Sequence, residues 1–188
     1  MSTVRTNIQN NRFLTLQRMG EAVFHVSDLA NIWEISSKNT LHTTLKRYTK
    51  QGLLSRVYRG LYSILPIDKI DPYLLGVKAM HEYCYISAET VLEQEGIIMQ
   101  ATNYITLINS RSKKFSIGNN NYYSRQLSDK YLFQNEGIEK KNGINIATTE
   151  RAVADLLYFN PRAYFDAAKK INWKEVKRIQ KKIGYKYK

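Results

Sequence analysis

Residues 38–50 carry the most specific chemistry in the chain. Placed at about 100° per position, Asn39, Thr43, Lys46, Arg47 and Lys50 form one stripe, with Lys38 at its start and His42 at its margin. Leu41, Leu45 and Tyr48 form the opposite stripe. The apolar stripe is expected to pack and the polar one to face out. Amide, hydroxyl and cationic side chains on one helix face are the groups that read base edges in a major groove, and Lys and Arg also neutralise phosphates. Arg56 and Arg59 follow in a segment that reads as a hairpin of residues 53–57 and 61–65, turning at Tyr58-Arg59-Gly60. A lone basic helix is most simply a solvated face, but a basic hairpin directly after it points to DNA contact.

The elements that must position these residues have local signals of their own. Ser27 is a good N-cap and Asp28 suits the first turn of a helix, where the dipole favours negative charge. Leu29, Ile32 and Trp33 follow at helical spacing. Ser36 and Ser37 break that pattern and cap the next helix, and Gly52 stops it. An earlier helix is expected over residues 6–18, closed by Gly20. Together these signals predict a winged helix-turn-helix in residues 1–66, a device that binds duplex DNA or, in other settings, docks proteins.

After residues 66–72, which read as a linker, Asp71-Pro72 starts a helix with Asp as cap and Pro at the first helical position. Ser87 is expected to cap a short helix over 88–95. Strand-like runs then occupy 104–108, 114–117 and 122–127, and a hairpin over 137–147 turns at Asn142-Gly143. Helices are expected over 150–159, capped by Thr149, and over 161–170 and 173–183. The expected class is α+β, with a small α/β domain over 70–168 and a basic terminal helix in 169–188.

The terminal helix sets Lys174, Lys177, Arg178, Lys181 and Lys182 opposite Trp173, Val176, Ile179 and Ile183. It is either a solvated face, a docking surface for an acidic partner, or an extra set of phosphate contacts. Arg151 and Asp155, four apart, read as an ordinary helix-surface pair worth a few tenths of a kcal/mol. Glu139 and Lys141 match the acid-x-lysine pattern of restriction-type nucleases, although a charged hairpin explains them more simply. Cys84 reads as a small buried hydrophobe. His25, His42 and His81 lack metal-ligand spacing, so no cofactor or metal is expected.

The chain has 188 residues and a net charge of +13. Nine basic residues oppose Glu21, Asp28 and Glu34 in residues 1–66, a net of +6, and nine oppose Glu175 alone in 169–188, a net of +8. The remainder is close to neutral, so the positive field belongs to the two ends. No apolar run approaches bilayer-spanning length, and Met1-Ser2-Thr3-Val4-Arg5 lacks the apolar core of a signal peptide, so a cytoplasmic protein is expected.

Four stretches resemble the AbiEi-type antitoxins: Asp28-Leu29-Ala30, Arg59-Gly60-Leu61-Tyr62, Tyr85-Ile86-Ser87-Ala88 with Leu92 and Gly96, and Thr149-Glu150-Arg151-Ala152-Val153-Ala154-Asp155-Leu156. Their order covers nearly the whole chain, which is nevertheless short for the family pattern. The resemblance implies one half of a two-gene system. In it, an N-terminal winged helix binds double-stranded DNA at the chain's own promoter and represses it, and the C-terminal part counteracts an AbiEii-like nucleotidyltransferase toxin. The expectation is a DNA-binding antitoxin without catalytic activity. A winged-helix nuclease using Glu139 and Lys141, or a stand-alone transcription factor, would be the alternatives.

Overall fold

The computed structural model describes residues 11–185. Among them the chain is a mixed α+β protein with eight α-helices and two sheets, and it divides into two compact units, Met1–His81 and Glu82–Lys188. The expected first helix begins outside the described residues; its described part is α1, residues 11–18. No described helix is long and apolar enough to cross a membrane.

In the first unit α1 is followed by β1 (Val23–His25), α2 (Val26–Ile32), α3 (Lys38–Lys50), β2 (Ser55–Tyr58), β3 (Leu61–Ser63) and α4 (Pro72–Met80). The three strands form an antiparallel sheet in the order β1-β3-β2. Leu16, Phe24, Leu29, Trp33, Leu41, Leu45, Tyr48 and Leu54 make its core. The Trp33 and Tyr48 rings lie 5.2 Å apart, and Trp33 Nε1 donates to the Arg12 carbonyl, fastening α1 to α2. Burial of this many large apolar side chains, each worth about 1.5–3 kcal/mol, holds α3 against the unit while its other face stays in solvent.

Two expectations are corrected in this unit. The N-cap of α2 is His25, not Ser27: its ring accepts from the Ser27 N–H while the Asp28 carboxylate accepts from the His25 N–H, a reciprocal box that starts the helix two residues earlier. The helix opened by Asp71-Pro72 forms with the expected cap and N1 proline, yet it belongs to the first unit and packs near β1, so the unit boundary falls at 81/82 rather than in residues 66–72.

The second unit contains a six-stranded mixed sheet in the order β6-β7-β5-β4-β9-β8. Its strands are β4 (Tyr85–Ile86), β5 (Ile105–Asn109), β6 (Lys113–Ile117), β7 (Asn120–Gln126), β8 (Ile138–Lys141) and β9 (Ile144–Ala147). The helices are α5 (Glu89–Gln94), α6 (Asp129–Leu132), α7 (Thr149–Phe159) and α8 (Trp173–Ile183). The β8–β9 hairpin turns where expected, with Asn142 and Gly143 at φ of 50° and 79°, both left-handed as a tight primed turn requires. α7 is capped by Thr148, one residue before the expected Thr149, and α5 begins after Ala88 rather than under a Ser87 cap. The helix expected over 161–170 is absent except for a 3-10 turn at Ala168–Lys170. The basic terminal helix α8 packs on α7 within this unit.

Arg151 and Asp155 are the main revision. Both are fully buried, so they are not the surface pair that their spacing predicts. Arg151 Nε donates to Asp155 at 2.9 Å, one terminal nitrogen donates to the carbonyls of Gln134 and Glu136, and the other donates to the Tyr85 hydroxyl at 2.7 Å. Asp155 accepts in addition from Ser87 Oγ at 2.7 Å and from the Tyr185 hydroxyl at 2.6 Å. Burial, reinforced by the Asp155 carboxylate, pushes both tyrosines above the ordinary phenol range, so both stay protonated at physiological pH. Burial likewise pushes the Cys84 thiol up to about 12, leaving it a packing residue.

Removing one partner strands the other as a buried charge, at a cost of about 3–5 kcal/mol. Arg151→Met is therefore expected to destabilise the second unit by that amount, and Tyr185→Phe by about 1–3 kcal/mol, the cost of an unmet buried acceptor. Denaturant melts check this. A loss below about 1 kcal/mol for Arg151→Met would contradict the network's role.

Candidate nucleic-acid interface

Each sequence-predicted residue of α3 can be placed on its surface. Lys38, Asn39, His42, Thr43, Lys46, Arg47 and Lys50 are all exposed, and Leu41, Leu45 and Tyr48 are buried. Thr44 joins the buried stripe, a position that its hydroxyl hid from the apolar pattern. Thr40 is exposed on the first turn and extends the polar face, while Thr49 turns its hydroxyl back onto the Leu45 carbonyl. The helix starts at Ser37, whose Oγ accepts from the Thr40 N–H, so the expected cap holds here.

The hairpin stands directly after this helix in sequence. β2 and β3 pair antiparallel with a bulge between Arg56 and Tyr58, and the chain turns at Arg59-Gly60. Arg56 and Arg59 are exposed. Gly60 adopts a φ of +71°, its carbonyl accepts from the Val26 N–H at 2.8 Å, and a Cβ there would approach the His25 ring to 3.3 Å. The hairpin tip is thus fastened to the start of α2, and a side chain at this position is disfavoured both by backbone and by space.

Electrostatics separates the two basic surfaces that looked alike in sequence. Among the described residues, none of Lys38, Lys46, Arg47, Lys50, Arg56 and Arg59 lies within ion-pair distance of a carboxylate. On α8, Arg178 is bonded to Glu175 and Glu136, and Lys182 reaches Glu136 at 3.3 Å. Those cations hold both glutamates below the ordinary carboxylate range, chiefly through hydrogen bonds from Arg178. Lys174, Lys177 and Lys181 remain as exposed cations of that helix. The α3 and hairpin cations keep their charge available to a polyanion, and those of α8 are partly neutralised from within.

Glu139 and Lys141 pair with each other at 3.2 Å on the edge strand β8, both well exposed. Among the described residues no group of three or more His, Cys, Asp or Glu side chains is placed to hold a metal ion. This is the geometry of a charged hairpin.

Sequence reasoning missed a pair of histidines. The His25 and His81 rings stack with centroids 3.6 Å apart, joining the cap of α2 to the end of α4 inside the first unit. Their separation in sequence gave no signal. Burial and then the neighbouring His81 lower the His25 pKa from 6.5, while Asp28 opposes them. A depressed histidine pKa means that the folded state prefers the neutral ring. Stability is then complete above about pH 6.5 and is lost as pH falls through the lowered folded value. Protonation also removes the ring acceptor that caps α2. Calorimetric melts should therefore show the first unit weakening on acidification below that point, and His25→Asn, which can still cap, should flatten the dependence. Equal acid sensitivity in both proteins would exclude His25 as the cause.

Compared with known protein families and with curated proteins, the chain matches none.

Proposed function

We propose that the chain is a DNA-binding antitoxin that represses its own promoter, with α2, α3 and the β2–β3 hairpin forming a winged helix-turn-helix. The observation that carries this reading is the face of α3 and the hairpin tip. Six cations there are exposed and, among the described residues, without carboxylate partners, and they are interleaved with Asn39, His42 and Thr43, which have base-reading chemistry. A surface kept solely for solubility has no need of this combination on the one helix that a hairpin follows. In the reading proposed, α3 enters the major groove, Arg56 and Arg59 meet phosphate or minor groove, and binding is salt-dependent through counterion release.

The second unit is assigned the antitoxin role, acting against an AbiEii-like nucleotidyltransferase toxin. Support comes from the resemblance of the Tyr85-Ile86-Ser87-Ala88 and 149–156 stretches, whose polar members Tyr85, Ser87, Arg151 and Asp155 meet in one buried network. A network that costs this much desolvation explains why those residue types stand where the resemblance finds them.

Two measurements test the reading. Lys46→Ala and Arg59→Ala should each weaken binding to the duplex upstream of the chain's own gene, and each should reduce the salt slope by roughly one. Anisotropy titrations in which the double variant keeps the parent's affinity and slope would overturn the groove assignment. Co-expressed with the adjacent gene, the same double variant should still rescue growth while losing promoter repression. Loss of rescue alongside loss of repression would contradict the division of labour between the units.

A further inference from the structure

A second candidate site lies within the second unit. The end of α7, the start of α6 and the inner side of α8 enclose an open cleft of about 550 Å³, a size typical of small-ligand sites. Its walls are aromatic. Tyr158 and Tyr185 stack at 4.7 Å and Tyr131 meets them edge-on; Tyr131 and Tyr185 are buried, while Tyr158 and the Trp173 indole are exposed. These rings are held in place: Trp173 Nε1 donates to the Ala168 carbonyl and the Tyr185 hydroxyl to Asp155.

Two polar groups stand among the rings. Gln180 lines the cleft at 7% exposure. A side-chain amide carries both a donor and an acceptor. Lys177 also lines the cleft, exposed and one helical turn before Lys181. Lys174 adds a third cation on the same helix. The site thus offers ring faces, one amide with both hydrogen-bonding roles, and positive charge.

We propose that this cleft binds a purine nucleotide, its base against the exposed Tyr158 and Trp173 rings, its edge on the Gln180 amide and its phosphate on Lys177. Aromatic faces favour flat heterocycles and reward the larger area of a bicyclic ring. The amide matches the adjacent donor and acceptor of a purine edge, as amide side chains do when they read adenine. The lysine supplies the charge that a phosphate needs. The site stands independently of whether α3 binds DNA.

Calorimetric titration of the full chain with AMP, adenosine, CMP and indole tests it. AMP should bind saturably and more tightly than adenosine, CMP or indole. Lys177→Ala, a surface change that leaves the fold intact, should weaken AMP by roughly tenfold and adenosine hardly at all. Gln180→Leu should weaken both AMP and adenosine. Absence of AMP binding at millimolar concentration would overturn the proposal. Indole binding as tightly as AMP would make the cleft merely apolar, and tighter CMP binding would rule out the purine. AMP affinity lost in Lys46→Ala but kept in Lys177→Ala would place the nucleotide on α3 instead.

Discussion

The buried pair of Arg151 and Asp155 fixes the second unit. A guanidinium and a carboxylate without solvent exposure would each cost several kcal/mol if left unpaired. Here every nitrogen of the guanidinium and both carboxylate oxygens have a partner. The guanidinium binds one carboxylate, two backbone carbonyls and one phenol, while the carboxylate takes the guanidinium, a serine and a second phenol. These partners come from β4, from the segment ahead of β8, from α7 and from the end of α8. Such a network specifies an arrangement more than it adds raw stability, because any alternative packing leaves at least one buried charge unmet. It also determines the aromatic cleft, since Tyr185 is both a wall of that cleft and a donor to Asp155.

Two basic helices illustrate how little net charge says on its own. By composition α3 and α8 each carry a net +4, and the terminal segment 169–188 holds a larger local charge than residues 1–66. Glu136 and Glu175 take up part of that charge within the unit. On α3 and the hairpin the cations face solvent beside amide, imidazole and hydroxyl groups, which is why the proposed reading places nucleic-acid recognition there. The inner face of α8 carries its distinguishing chemistry in Gln180, which no count of lysines would reveal.

What the sequence disclosed was local. The amphipathic face of α3, the Asp71-Pro72 start of α4 and the Asn142-Gly143 turn each depend on residues within a few positions of one another, and all three are present. β1 and β4 were missed because three and two residues are too few to display a period, and their existence depends on partners tens of residues away. The helix expected over 161–170 fails where side chains compete with it. Asn160 accepts from the Arg162 N–H, and the Asp166 carboxylate accepts from Met99 N–H. The Arg151–Asp155 spacing was legible as a helical pair, but its burial depends on Tyr85, Ser87 and Tyr185, which only the tertiary fold brings to it.

The most direct test of the central claim is an amide chemical-shift map of the full chain titrated with duplex DNA from upstream of its own gene. The account predicts perturbations concentrated in residues 38–50 and 55–60, fading as salt rises. Perturbations confined to residues 173–183, or none at low salt, would contradict it.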